Sequence, residues 1–323
     1  MNVFIAGGSG AIGVPLVRQL AAGGHQVTAL TRSASKAEML RAVGATPAVA
    51  DALDAEVLRR VVVAAHPTHV IHQLTALPQT GPKSAKELTP TNRLRIEGTR
   101  NLIDAAAAAG VKRLVVGSFA PLAVSSAAPA PSQTDEAAAA IQSMESQALD
   151  ANARHLVEGI VLRYGLFYGP ENAMTKQMIA LARRRLLPAF RGDHGLLPPV
   201  HLEDAASATI AALEHGRPGS IYDIVDDRPV SMSELARTIA ETVGARRPFA
   251  IPLWVPKLLA PYLAQVLSVR LPLSNAKARA ELGWRPMFPT IREGYSDIVR
   301  HLDSTRDGTM SDRDRLAQGR HAI

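Results

Sequence analysis

The 323-residue chain contains no cysteine. A disulfide framework, a thiolate-held zinc and a cysteine nucleophile are therefore excluded. Aromatic residues make up only 4%, too few for a platform that stacks nucleic-acid bases. No basic segment followed by a long apolar run opens the chain; Met1-Asn2-Val3-Phe4-Ile5 leads straight into glycines, and no targeting signal is expected. The longest apolar stretch, Phe249 to Leu273, is broken by Pro252, Pro256, Pro261 and Pro272 and by Lys257 and Arg270. A membrane helix needs about 20 apolar residues without such breaks. These absences imply a soluble cytoplasmic protein with no membrane partner.

What is present is globular in character. Hydrophobic residues account for 47% and charged residues for 20%, with a mean hydropathy of +0.04. At about 150 residues per domain the length suits two domains or one domain with a lobe. The formal charge is +7, which attracts nucleic acid, anionic surfaces or phosphorylated ligands. The cations are scattered except at Arg183, Arg184 and Arg185. A phosphate-rich ligand accounts for this balance, and nucleic acid is not inferred.

The first half alternates short β-branched runs with helical patterns, the mark of βαβ units and a parallel sheet. Strands are predicted at Asn2–Ala6, Gln26–Leu30, Thr46–Val49, His69–Gln73, Arg113–Gly117 and Gly159–Tyr164. Helices are predicted to start near Gly10, Lys36, Asp54, Thr91, Thr134 and Thr175, with Asn92 to Gly110 the clearest because of its alanine run. Phe119 to Thr134 reads as a loop. Beyond residue 165 the pattern loosens, with helices at Ser231–Val243 and Ser274–Leu282. The expected class is α/β: a Rossmann-type, doubly wound parallel sheet over 1–165, to which later segments return, and a smaller, partly helical C-terminal substrate lobe over 166–303. Residues 304–323 read as a mobile tail.

Gly7-Gly8-Ser9-Gly10-Ala11-Ile12-Gly13 follows the first strand directly and opens a helix whose apolar face includes Val14, Val17 and Leu20. Glycines let the backbone turn sharply beside a pyrophosphate, and the helix N-terminus offers it N–H groups and a positive dipole end. In this context the motif marks a dinucleotide site rather than a bare turn. The second strand ends in Thr31-Arg32-Ser33, where an acid would bind the ribose hydroxyls of NAD. A guanidinium and a hydroxyl suit a 2′-phosphate instead, so NADP is the expected cofactor, with Lys36 one turn further adding charge. The alternative is that Arg32 is an ordinary surface arginine.

Several further motifs stand in order along the chain: Val49-Ala50-Asp51-Ala52-Leu53-Asp54, Val70-Ile71-His72-Gln73-Leu74-Thr75-Ala76, Glu97-Gly98-Thr99-Arg100-Asn101-Leu102, Leu162-Arg163-Tyr164-Gly165-Leu166-Phe167-Tyr168-Gly169-Pro170, Val200-His201-Leu202-Glu203-Asp204 and Leu282-Gly283-Trp284-Arg285-Pro286. With the glycine turn they resemble the extended short-chain dehydrogenase/reductases, the NAD(P)-dependent epimerase/dehydratase-like proteins. The resemblance implies that Gly7, Ser9, Gly10, Ala11, Ile12 and Gly13 hold the diphosphate. It implies that Asp51 accepts from the adenine amino group with the Ala52 backbone beside it, and that Gln73, Leu74 and Thr75 line the ribose and diphosphate path. Ser118 joins the cofactor set, and Tyr164 and Leu166 are to meet the nicotinamide end through main chain.

The resemblance fails at the chemistry. The family uses a Tyr-x-x-x-Lys pair and an upstream Ser or Thr to handle the proton at the reacting oxygen. This chain has no tyrosine before Tyr164 and no lysine between Lys112 and Lys176. By spacing, Ala140 and Met144 stand for the Tyr and Lys, Phe119 for the Ser, and Arg95 for the family's Asn. Ser118, Tyr168, His155 and His201 are the candidate replacements. Each also has a plain structural role open to it, and Glu145 reads as part of a solvated helix face. No catalytic residue and no metal site is assigned.

Leu197 stands where nucleotide-sugar enzymes of the family carry a diphosphate-clamping Arg, although Arg163 or Arg191 could replace it. The lobe holds Phe249, Ile251, Leu253, Trp254, Val255, Leu258, Leu259 and Tyr262, read mainly as its core with some facing a cleft. The expected activity is NADPH-dependent reduction of a ketone on a bulky, apolar, polycyclic aromatic substrate, assisted by the substrate's own phenol. In its pattern of losses the chain resembles the atypical ketoreductases of angucyclinone and simocyclinone pathways. A nucleotide-sugar epimerase or dehydratase, and a non-catalytic NADP-binding sensor, are the alternatives. The partner is a small molecule, and the protein is expected to be a monomer or homodimer.

Overall fold

The computed structural model describes all residues except 79–81, 83, 125–134, 194, 260–269, 272 and 319–323. The described chain forms two compact units: Met1–Phe167 with Pro198–Asp227 and Leu271–Met287, and Tyr168–Leu197 with Arg228–Arg270 and Phe288–Ile323.

The first unit is built on seven parallel strands. In chain order they are β1 (Asn2–Ala6), β2 (Gln26–Thr31), β3 (Thr46–Val49), β4 (His69–His72), β5 (Arg113–Phe119), β6 (Glu158–Tyr164) and a strand at Ile221–Ile224. The sheet runs from that last strand through β6, β5, β4, β1 and β2 to β3. Strand direction never reverses, but the order turns back on itself between β1 and β4, where open α/β sheets bind ligands.

Side chains alternate across this sheet with a period of two. Val3 and Ile5 face one core, together with Leu16, Val17 and Leu20 of helix α1 (Gly13–Ala22) and Ala205, Ala208 and Ala212 of helix Leu202–His215. Phe4 and Ala6 face the other, with Leu58 and Val62 of helix Ala55–Ala65, Leu102 and Ala106 of helix Thr99–Ala108, and Met144 and Ala148 of helix Asp135–Ala153. Asp54 starts the helix at Ala55, its carboxylate accepting from the Val57 N–H at 3.1 Å, as an N-cap should.

Differences from the sequence reading have local causes. The strand Ile221–Ile224 was not expected; four residues with an Asp among them make too weak a pattern, and pairing with β6 creates it. The helix predicted over Asn92 to Gly110 starts at Thr89 and widens into one π-helical turn, Leu94–Gly98, before continuing to Ala108. The predicted loop from Phe119 begins with a helical turn, Ala120–Val124; its remainder, 125–134, lies outside the described residues. The last helix spans Ile291–Gln318.

The second unit has its own core. Tyr168 stacks on Tyr295, ring centroids 5.3 Å apart, among Ile179, Val230, Ile239 and Ile298. Phe249, Trp254 and Leu258, read as lobe core, are exposed at 51%, 65% and 73%. Helix Trp254–Leu259 spans only six residues, too short to bury a full apolar stripe. Among the described residues, no helix is long and apolar enough to cross a membrane.

Candidate functional site

The site is assembled at the sheet's turning point. Gly7 has a φ of +98°, which favours glycine. A Cβ there would strike the Gln73 carbonyl. Gly13 begins α1 so close to the turn that a Cβ would press on Gly7 O and lie 2.5 Å from the Gly8 carbonyl carbon. No side chain caps α1 and no acid lies in its first turn, leaving its positive end open to an anion.

A cleft opens from this turn. It is lined by Gly7, Ser9 and Gly10, by Arg32 and Ser33 after β2, by Asp51 and Ala52 after β3, and by Gln73, Leu74 and Thr75 after β4. Ten of the predicted cofactor residues therefore meet on one surface. Lys36 joins them, as do Leu30, Thr31, Ala50 and Leu94, which sequence reasoning missed. Leu30, Thr31 and Ala50 flank predicted residues at strand ends and were within reach of that reading. Leu94 arrives from a helix distant in sequence and carried no signal. Ala11, Ile12, Gly13, Ser118, Tyr164 and Leu166 do not line the cleft.

The charges in the cleft are sorted. Asp51 is its single lining carboxylate, and its Oδ1 is oriented by the Leu53 N–H at 3.0 Å. Arg32 and Lys36 are exposed at the β2 end, and the Ser33 N–H is held by Thr31 Oγ1 at 3.2 Å. An adenine amino group fits the first region and a phosphate the second. The backbone cradle that a Cβ would fill and this donor set both fit a nicotinamide dinucleotide.

Beyond the cleft, the polar groups at the ends of β4, β5 and β6 are committed to one another. Gln73 Nε2 donates to the Tyr164 hydroxyl at 2.9 Å, and Tyr164 and Thr209 Oγ1 are 2.7 Å apart. Thr209 gives its own proton to the Ala205 carbonyl at 2.6 Å, so Tyr164 must donate to Thr209. Burial pushes the Tyr164 phenol well above its ordinary pKa. The chain's first tyrosine is thus a buried strut.

Glu145 corrects the sequence reading. Glu145 was placed on a solvated face, yet it is buried and bound to Arg163 through Nη2–Oε2 at 2.6 Å. Ser118 donates to Glu145 Oε1 at 2.5 Å, so its hydroxyl is spent inside the protein. Arg163 is likewise committed; its bond to Glu145 holds the guanidinium pKa up. Burial and the neighbouring Glu145 charge raise the Asp223 carboxyl, against Arg163. The other buried positions of helix Asp135–Ala153, including Ala137, Ala140, Ile141, Met144 and Ala148, are apolar. No register of the helix offers the sheet a tyrosine or a lysine.

The remaining candidates fall into structural roles. His201 caps helix Leu202–His215 by accepting from the Glu203 N–H at 3.2 Å. Tyr168 is packed in the second unit, and His155 is exposed at a φ of 56°. Leu197 is buried, bonded to Val230 at both its N–H and its C=O.

Burial lowers the pKa of His72 and of His201 to about 4. Each is neutral when folded, and unfolding returns it to about 6.5. Below pH 6.5 the unfolded chain therefore binds more protons, and stability is lost as pH falls from 6.5 towards 4. We expect a lower urea midpoint at pH 5 than at pH 7, with part of the loss removed by His72→Gln. An unchanged midpoint would contradict the assignment.

Comparisons with known proteins agree with this geometry. The family model described as "NAD dependent epimerase/dehydratase family" matches residues 3–225. A Streptomyces sp. protein named 3-diazoavenalumate denitrifying reductase is 37% identical, over 91% of this chain and 99% of its own length. The 4-hydroxy-2-methyl-3-oxo-4-farnesyl-3,4-dihydroquinoline-1-oxide ketoreductase of Stigmatella aurantiaca is 26% identical, over 97% of this chain and 100% of its own. Among solved structures, the UDP-glucose 4-epimerase of Thermus thermophilus in complex with NAD aligns with a TM-score of 0.73 and 25% identity, covering 94% of this chain and 99% of that one.

Proposed function

We propose that this chain, which belongs to the NAD dependent epimerase/dehydratase family, is an NADPH-dependent reductase of a bulky aromatic acceptor that takes no proton from a protein side chain. The observation that carries this reading is that the buried positions of helix Asp135–Ala153 other than Glu145 are apolar, in a protein whose cleft gathers ten of the residues expected to hold the dinucleotide. Two reductases among its relatives support the class of reaction.

The glycine turn from Gly7 to Gly13 holds the diphosphate, Asp51 and Ala52 the adenine, and Arg32, Ser33 and Lys36 the 2′-phosphate. Gln73, Leu74 and Thr75 follow the ribose, and Tyr164 and Leu166 offer main chain at the nicotinamide end. Bound there, the reduced nicotinamide supplies hydride. A ketone that gains hydride at carbon must gain a proton at oxygen. A phenol beside the ketone supplies that proton internally, with the high effective molarity of a fixed geometry, and water restores the phenol. A polycyclic aromatic ketone of the polyketide kind is such an acceptor.

The 37% identical relative, named for a diazo compound and its denitrification, favours a second acceptor. An arenediazonium that takes hydride on its terminal nitrogen becomes a neutral aryl diazene. The diazene then loses N2 and keeps the hydrogen on the ring. The sum, ArN2⁺ + H⁻ → ArH + N2, consumes no proton. The two acceptors share the property that the missing Tyr and Lys are not needed. Sugar-nucleotide epimerisation or dehydration needs an acid–base pair, and none is found at the sheet ends among the described residues.

The test is NADPH oxidation by the wild-type protein with three acceptors: a polycyclic ketone bearing a neighbouring hydroxyl, its methyl ether, and an arenediazonium monitored for N2. We expect the ether to react on the order of 10²-fold slower than the phenol. Equal rates would end the assisted mechanism; no turnover of any acceptor would leave a binding protein. Arg32→Glu should weaken NADPH about 10–100-fold, the worth of charge-assisted hydrogen bonds, and change NADH little. Ser118→Ala and Tyr168→Phe should stay within about tenfold of wild type, short of the loss of a general acid.

A further inference from the structure

We infer that Arg95 binds an oxyanion of the hydride acceptor, a carboxylate or phenolate carried beside the reacting group; this rests on the reductase reading above. Arg95 lies on the π-helical turn Leu94–Gly98 and is 6% exposed. π-turns inside α-helices are frequent at functional sites. A guanidinium carries five N–H donors, and here one hydrogen bond is made, Nη1 to the neutral Asn92 Oδ1 at 3.2 Å. Among the described residues no carboxylate pairs with it.

The fold treats comparable arginines differently. Arg113 has the Glu158 carboxylate and two carbonyls. Arg163 has both oxygens of Glu145. Arg95 alone of the three is enclosed as a cation without an anion, and burial lowers its pKa to about 10. A buried charge left uncompensated is strongly destabilising, which a bidentate oxyanion would offset.

Its position identifies the anion. The preceding residue, Leu94, lines the nucleotide cleft. His72, at the end of β4, is close enough to feel the Arg95 charge. Helix Asp135–Ala153 lies against the same turn, Gln147 Nε2 donating to the Ile96 carbonyl at 3.2 Å. Arg95 does not itself line that cleft; it follows a residue that does, on a turn that also touches the helix that lacks the Tyr and Lys. The cofactor's diphosphate already has the glycine turn and the α1 N-terminus. The remaining anion is the acceptor's, and binding it fixes the acceptor's orientation and selects acidic aromatic compounds over neutral ones.

The test needs no turnover. Calorimetry on the NADP⁺-loaded protein compares 2-naphthoate with its methyl ester. Wild type should bind the carboxylate about 10–100-fold more tightly, as a charge-assisted contact implies. Arg95→Met should abolish that preference, keep NADP⁺ affinity and melt no lower than wild type, and Arg95→Lys should retain part of it. Equal binding of the two compounds by wild type, a preference surviving in Arg95→Met, loss of NADP⁺ affinity instead, or a lower melting point would each overturn the proposal. A protein that shows the preference yet oxidises no NADPH would sink the reductase reading and leave this site standing.

Discussion

Gly13→Ala is expected to weaken nicotinamide dinucleotide binding by about 100-fold, a loss of roughly 2.7 kcal/mol. The added Cβ would meet Gly7 O and the Gly8 carbonyl. Both are main-chain atoms of the turn that cradles the diphosphate, and neither can swing aside as a long side chain would. The turn must open or α1 must back away, and either movement takes the helix N-terminus from the anion. Fluorescence titration with NADPH measures the effect, and affinity within about threefold of wild type would refute the cradle. Gly24→Ala is the matched control, because a Cβ at Gly24 meets nothing within 4 Å; it should leave affinity unchanged, although its positive φ makes it cost about 1 kcal/mol of stability.

Arg113→Met is expected to cost about 3 kcal/mol of stability, at the lower end for a broken buried ion pair. Arg113 opens β5 and binds Glu158 at the start of β6 with Nη2–Oε2 at 2.7 Å. Its Nη1 also donates to the Ala212 and Leu213 carbonyls at 3.2 and 2.6 Å. Those carbonyls belong to the last turn of helix Leu202–His215, where a cation also meets the negative end of the helix dipole. One side chain thus ties two neighbouring strands to a helix that arrives about 100 residues later. Its removal leaves a half-buried carboxylate and two carbonyls without their donor. Glu158→Gln, which keeps an acceptor and is more exposed, should cost only about 1 kcal/mol. Urea unfolding of the two variants decides this; equal, small losses would show that the helix carbonyls do not depend on Arg113.

The acceptor readings and the Arg95 site differ in what they ask of the protein. A phenol-assisted ketone or an arenediazonium needs only to be held in place. The proposed Arg95 contact would hold the acceptor by charge and so let a site without Tyr or Lys discriminate. The buried Glu145 does not compete for that role, since Arg163 and Ser118 occupy both of its oxygens.

Much of this protein is readable along the chain because the relevant physics is local. A strand buried on both faces shows as a short β-branched run, and β1, β4 and β5 start where the sequence says they start. The glycine turn is seven consecutive residues, and the predicted residues that line the cleft follow four successive strands, β1 to β4. The absence of a Tyr–Lys pair needs no fold at all, since no arrangement can supply a tyrosine the segment lacks.

What only the tertiary structure decided involves groups brought together from distant elements. Glu145 sits on a helix with polar neighbours and reads as solvated; Ser118 of β5 and Arg163 of β6 bury it by adjacency across the sheet, where Ser118 and Arg163 share a register position. Tyr164 becomes a strut because Gly117 leaves room for the Gln73 side chain and Thr209 closes the chain of donors. Arg95 stands out in the sequence only as a replacement for the family's Asn; that it is buried without a carboxylate partner is decided by the fold. Periodicity and local motifs specify which face a residue takes on its own element. Whether a charge on that face meets a partner, water or neither depends on elements tens of residues away, and only folding brings them into contact.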